Sequence, residues 1–114
     1  MPHFVVDCSQ SILQTQTEEQ IIGRVHRAAN STGIFDEDDI KVRVNPFTVY
    51  SVGNKREEFI HVFAHIMEGR SIEQRRDLSR LIVIELASMF PDVPNIAMNV
   101  AEFEKGTYCN RAML

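Results

Sequence analysis

The 114-residue sequence has no run close to the roughly 18 consecutive apolar residues that a membrane-spanning helix needs. Its first residues include neither a basic segment nor a long apolar core, so we expect no secretory signal and a cytoplasmic location. There are only two cysteines, Cys8 and Cys109, and they lack the spacing of a metal or redox motif. We therefore expect two free thiols in a reducing compartment.

Basic charge is also scarce. The net charge is −4, and no basic stripe alternates with aromatic side chains, so nucleic acid is not an expected partner. The densest charged run, residues 36–39, lacks the glycine that a calcium loop needs for its turn, which predicts a solvated loop. No low-complexity segment or linker interrupts the chain. With 44% hydrophobic and 25% charged residues, the composition is typical of one globular domain over residues 1–114.

Two capping boxes predict the starts of two helices. The segments 17–20 and 71–74 each have a hydroxyl residue at the cap and a glutamine three positions later. Gly33 suits the left-handed position that closes the first helix, and Pro91 stops the second. Apolar residues follow each box at helical spacing: Ile21, Ile22, Val25, Ala28 and Ala29 in the first helix, and Leu78, Leu81, Ile82, Leu86 and Met89 in the second.

β-prone segments surround both helices. Pro46 lies within one of them, and it predicts a bulge or an edge strand there because proline cannot donate to a ladder. The order strand–helix–strand occurs twice, and such crossovers place both helices on one face of a single sheet. The predicted fold is therefore α/β (α+β), with two β-α-β units in one four-stranded sheet. The predicted strands cover residues 3–8, 40–50, 58–67 and 95–104, with a turn at 53–55.

This arrangement leaves the second face of the sheet without a cover. Residues 60–67 alternate, with His61, Phe63, His65 and Met67 on the side opposite to Ile60, Val62, Ala64 and Ile66. A face of that composition would be an unusually apolar patch on a monomer, so we expect another copy of the chain to cover it. The two histidines are about 13 Å apart along the strand, too far to share a metal ion directly.

Pro2 is the first candidate for chemistry. Methionine is normally removed ahead of a small residue such as proline, which would leave a secondary amine at the chain terminus. Amino termini titrate near pH 7.7–8.0, and burial lowers that pKa because it disfavours the cation. Such an amine can accept and return a proton at neutral pH. If Met1 is retained, the Pro2 nitrogen is an amide without basicity, and Pro2 then has no special role.

Three cationic residues are candidates for binding a carboxylate. Arg70 directly precedes the cap of the second helix, where backbone N–H groups also favour anions; the alternative is an exposed turn residue. Lys41 and Arg43 lie two positions apart on one face of a predicted strand, so they could hold a carboxylate between them. The alternative is that both are solvated strand residues.

Three blocks of the sequence resemble the 5-carboxymethyl-2-hydroxymuconate delta-isomerase family of the tautomerase superfamily. They cover residues 1–9, 31–35 and 69–75, and they follow one another in the family's order with similar spacing. The resemblance implies a homotrimer of two-layer subunits whose sheets face inward, with one active site per subunit near an interface. It also implies an isomerase of aromatic-compound catabolism that uses no metal and no organic cofactor.

The same resemblance implies roles for individual residues. Pro2 would move a proton between carbon positions of a dienol or enone, and Arg70 would hold a carboxylate and stabilise developing negative charge. Where the family commonly has an arginine, this chain has Lys41, which keeps the charge without the bidentate fork. The tail from 106 to 114 is also shorter than usual. These departures predict a smaller or differently charged acid as the substrate.

Two other interpretations fit the same order of elements. One is a non-enzymatic, ferredoxin-like domain for ligand binding or assembly, which predicts a blocked or disordered terminus with no cleft around it. The other is a trimeric tautomerase-fold protein without catalysis, which retention of Met1 would favour.

Overall fold

The computed structural model describes the whole chain, residues 1–114. It has two successive strand–helix–strand units, as the sequence predicts. In chain order the elements are β1 (His3–Ser9), α1 (Glu18–Ser31), β2 (Lys41–Phe47), β3 (Phe59–Met67), α2 (Ile72–Met89) and β4 (Asn95–Phe103). Short 3-10 turns lie at Gln10–Gln14, Glu37–Asp39, Lys105–Thr107 and Arg111–Met113. None of the helices is long and apolar enough to cross a membrane.

The four strands form one sheet in the order β2–β1–β3–β4. β1 pairs in parallel with β2, and β3 pairs in parallel with β4, while β1 and β3 are antiparallel. Pro46 lies on the edge strand β2, where a missing N–H is tolerated, so the prediction for this residue is confirmed.

The predicted second strand was too long. It ends at Phe47, and the next two residues are exposed. The carbonyl oxygen of Thr48 accepts a hydrogen bond from the guanidinium of Arg56 and takes no part in the sheet. The predicted turn at residues 53–55 is confirmed by a tight bridge between Val52 and Lys55.

Both capping boxes form as predicted and fix where the helices begin. The backbone N–H of Gln20 donates to Thr17 Oγ1 at 3.1 Å, and the Gln20 side chain accepts from the Thr17 N–H at 2.7 Å. The same reciprocal pair joins Ser71 and Gln74 at 3.1 and 2.9 Å. Gly33 has φ +72°, in the left-handed region that lets the chain leave the end of α1.

The core lies between the two helices and one face of the sheet. The even-numbered residues of β1 and β3 face the helices and are fully or almost fully buried. The helices contribute the predicted apolar stripes to the same cluster. Its principal members are Phe4, Val6, Ile60, Val62, Ile21, Val25, Leu78, Ile82 and Leu86.

The opposite side of the sheet, here called the open face, is not covered by either helix. Phe63 lies in the middle of it and remains 38% exposed, which is unusual for a phenylalanine on a central strand. The open face consists of His3, Val5 and Asp7 on β1, Lys41, Arg43 and Asn45 on β2, His61, Phe63 and His65 on β3, and Ala97, Asn99 and Ala101 on β4.

Candidate active site

Pro2 directly precedes β1 and is buried. Its carbonyl oxygen accepts a hydrogen bond from the backbone N–H of Lys41 at 3.0 Å, one position before the β1–β2 pairing begins with His3 opposite Lys41. The start of the chain is therefore held beside the start of β2. Both cysteines are free as predicted, and burial raises the pKa of the Cys8 thiol to about 11, so Cys8 is not a candidate nucleophile.

Arg70 turns away from the helix that follows it. Its guanidinium donates to the carbonyl oxygen of Ile34 at 2.6 Å and to that of Met67 at 3.3 Å, and its Cζ lies 5.1 Å from the ring centre of Phe35. The backbone N–H of Gln74 in the first turn of α2 is already bonded within the capping box. Arg70 is therefore half-buried and ordered against the α1–β2 loop (residues 32–40), which differs from the exposed turn residue considered above.

Lys41 and Arg43 lie on the same face of β2, as predicted, but their charged groups have different partners. The Lys41 ammonium donates to the carbonyl oxygen of Asp39 at 2.9 Å and lies 3.9 Å from the sulfur of Met1. Arg43 approaches Nδ1 of His3 at 3.1 Å on the open face. Both residues lie on the open face, but the Lys41 ammonium is beside the chain terminus, whereas the Arg43 guanidinium is beside His3.

The electrostatic surroundings of the amino terminus favour a neutral amine. Burial lowers the pKa of the Met1 amino group below its ordinary value. The carboxylate of Asp39 acts in the opposite direction, and the cations of Arg70 and Lys41 lower the pKa further. These three charged groups all act on the amine, so the fold brings two of the predicted cationic residues to the start of the chain.

His3 adds another polar group close to the terminus. Burial lowers its pKa, with Arg43 and Lys41 acting in the same direction, so its neutral form is favoured. Its ring meets that of Phe103 edge-on, with 6.0 Å between the centroids. The neutral imidazole is therefore part of the open face near the site.

Sequence reasoning did not identify the α1–β2 loop as part of this site. The acidic run 36–39 was predicted to be solvated, and that holds for its first three residues; Asp39, however, is half-buried beside Lys41. Ile34 and Phe35, which hold Arg70, are the last residues of the second resembling block. Their place in this block is the feature of the sequence that could have identified Ile34 and Phe35 as site residues.

The larger surface cavities lie elsewhere in the subunit. Two cavities of about 430 and 440 Å³ are lined by residues from 10–14, 47–61 and 94–97, and neither includes Pro2, Lys41 or Arg70. No group of three or more His, Cys, Asp or Glu side chains is arranged to hold a metal ion. Neither of these two cavities reaches Pro2.

The sheet order, with both helices on one face, is that of the tautomerase fold. A structure from Deinococcus radiodurans R1, described as a 5-carboxymethyl-2-hydroxymuconate isomerase, superposes with a TM-score of 0.84 at 17% identity, over 96% of this chain and 88% of that one. A fused 4-OT wild-type symmetric trimer gives a TM-score of 0.78 at 13% identity, over 96% and 94%. The chain therefore has the same fold as these proteins.

Sequence comparison defines the family within that class. The model of the 5-carboxymethyl-2-hydroxymuconate isomerase family matches residues 2–109, so the chain belongs to this family of isomerases. The 5-carboxymethyl-2-hydroxymuconate Delta-isomerase of Escherichia coli is 24% identical over 106 residues, which are 91% of this chain and 84% of that protein.

Proposed function

We propose that the protein is a cofactor-independent tautomerase that moves a proton within an unsaturated 2-hydroxy or 2-keto acid. The observation that carries this proposal is the buried Pro2 at a chain terminus flanked by Lys41, Arg70 and Asp39. Removal of Met1 would turn the Pro2 nitrogen into a secondary amine. Lys41, Arg70 and Asp39 act on the present terminus, and the same three groups would lie close to the new one.

In the proposed mechanism Pro2 is both general base and general acid. The neutral amine takes a proton from the dienol or enone substrate, and the resulting ammonium returns a proton to another atom of the same molecule. Substrate and product are isomers, so no oxidant or co-reactant is consumed. General acid–base catalysis of this kind is worth about 10²–10⁴ in rate.

The cations bind and stabilise the anionic groups of the substrate. We assign to Arg70 the binding of the substrate carboxylate, because a half-buried guanidinium can form two parallel hydrogen bonds with a carboxylate. Lys41 supplies a second positive charge beside the amine, where it stabilises the negative charge that develops when the proton leaves. Arg43 extends the positive potential onto the open face. Lys41 offers a point charge and no fork, which supports a smaller or differently charged acid than 5-carboxymethyl-2-hydroxymuconate.

We also propose that three copies of the chain assemble through their open faces. The exposed Phe63 supports this, because the contact would cover it, and a second subunit would close the site beside the start of β1. A closed site would exclude water and strengthen the electrostatic contacts of Arg70 and Lys41. The expected setting is the cytoplasm and the breakdown of aromatic compounds.

Intact-mass spectrometry and one substitution test the mechanism. The purified protein is expected to lack Met1 and to tautomerise phenylenolpyruvate, measured by ultraviolet absorbance. Pro2→Ala is expected to lower kcat/KM by about 10²-fold or more. The matched control is Thr17→Ala, which removes the N-terminal cap of α1, at the end of the helix away from the α1–β2 loop. This variant is expected to leave kcat/KM unchanged. Retention of Met1 in the active protein, or full activity of Pro2→Ala, would contradict the proposal.

A further inference from the structure

We propose that Phe35 is a positioning residue that fixes the guanidinium of Arg70 for the substrate carboxylate. The inference rests on the proposed function of Arg70 as the carboxylate anchor. Phe35 does not touch the reacting atoms, and it acts by orienting the side chain of Arg70.

The contacts of Arg70 leave part of its guanidinium free. Two N–H groups donate to the carbonyl oxygens of Ile34 and Met67, and the group has five in all. Three donors therefore remain for a ligand. A carboxylate can use two of them in parallel only when the plane of the guanidinium is fixed, and two backbone bonds and the ring of Phe35 together determine that plane.

Phe35 is itself held by the core. Its ring meets that of Phe4 edge-on, with 6.0 Å between the centroids and 77° between the planes. Phe4 is fully buried in β1, two residues after Pro2. The ring of Phe35 therefore connects the strand that carries the proposed base with the side chain that carries the proposed anchor.

The backbone of the α1–β2 loop supports the same arrangement. Gly33, with φ +72°, lets the chain turn from the end of α1 into the segment whose Ile34 and Phe35 contact Arg70. At the other end of the loop, the carbonyl oxygen of Asp39 accepts from the Lys41 ammonium. The α1–β2 loop therefore contacts both Lys41 and Arg70. Within this loop, Phe35 is the aromatic residue that contacts Arg70.

Fixing the guanidinium before the substrate arrives has a kinetic consequence. A free arginine side chain loses rotamer freedom on binding, and a side chain that is already ordered loses less. The carboxylate is bound in both the ground state and the transition state, so loss of the positioning contact should raise KM more than it lowers kcat.

The test compares substitutions of two partly or fully buried phenylalanines. Phe35→Leu removes the aromatic ring and is expected to lower kcat/KM for phenylenolpyruvate by about 3- to 10-fold, the size of one cation–π contact, mainly through KM. Phe35→Tyr keeps the ring and should keep the activity. Phe90→Leu is the control, because Phe90 is buried at the C-terminal end of α2, and Arg70 precedes the opposite end of that helix. Thermal denaturation verifies that each variant is folded, and Phe35→Met replaces the leucine variant if that variant fails to fold.

A spectroscopic measurement reports on Arg70 without turnover. Protons over the face of a ring are shifted upfield, so the side-chain N–H signals of Arg70 should move downfield in Phe35→Leu and stay in place in Phe90→Leu. If Arg70→Ala retains full activity, the proposed function of the anchor has failed. If Arg70→Ala loses activity while Phe35→Leu matches Phe90→Leu in kinetics and in the Arg70 signals, only the positioning role of Phe35 is overturned.

Discussion

The carbonyl oxygen of Pro2 accepts the backbone N–H of Lys41 at 3.0 Å, although 38 residues lie between them in the sequence. This bond extends the parallel pairing of β1 and β2 by one position beyond His3. It fixes where the chain begins relative to β2 and places the Lys41 side chain beside the terminus. The sheet itself thereby determines the distance between the proposed base and one of its cations.

The pH dependence of the reaction should respond to Asp39. The carboxylate of Asp39 raises the pKa of the Met1 amine, and in the proposed mature chain it should act in the same direction on the Pro2 amine, so Asp39→Asn should lower that pKa. Catalysis requires the neutral amine, and kcat/KM falls as the pH drops through its pKa. The acid limb of the pH profile of kcat/KM should therefore move to lower pH in this variant. Asp38→Asn is the control, because Asp38 is exposed and does not act on the amine. A shift to higher pH in Asp39→Asn would contradict the assignment.

The two capping boxes allow a second comparison. Ser71→Ala and Thr17→Ala each remove a side chain that accepts from a backbone N–H at 3.1 Å, so each should lower the free energy of unfolding by about 1 kcal/mol. Only Ser71 adjoins Arg70, so only Ser71→Ala should also lower kcat/KM. Urea denaturation and the phenylenolpyruvate assay measure the two effects separately. Equal activity of the two variants would show that the cap of α2 does not help to place Arg70.

Most of the fold could be predicted because its determinants are local. A hydroxyl residue and a glutamine three positions apart start each helix, and alternation on β3 separates the buried Ile60, Val62 and Ala64 from the open face. The surroundings of Arg70 could not be predicted in this way. Ile34 is 36 positions from Arg70 in the sequence, and only the packing of the α1–β2 loop brings its carbonyl oxygen to the guanidinium.

The two thiols should differ in reactivity. Cys8 is fully buried, and its pKa is raised to about 11, so it remains a protonated thiol at neutral pH. Cys109 is exposed. Ellman's reagent should therefore modify one thiol per native chain and two per chain in denaturant. Cys109→Ser should abolish the native reaction. Rapid native labelling of that variant would mean that the strand carrying Cys8 opens readily.

Assembly through the open face can be tested at its centre. Phe63, 38% exposed on the central strand β3, lies opposite Val5 of β1 and Asn99 of β4. Phe63→Glu should place a carboxylate in the proposed contact between subunits, where desolvation of an unpaired charge is costly. Analytical ultracentrifugation should then find a monomer with little activity, because each site lacks its neighbouring wall. Ile84 on α2 is 53% exposed on the opposite side of the subunit, so Ile84→Glu should leave the trimer and its activity unchanged. A trimer that persists in Phe63→Glu and dissociates in Ile84→Glu would place the interface on the helices.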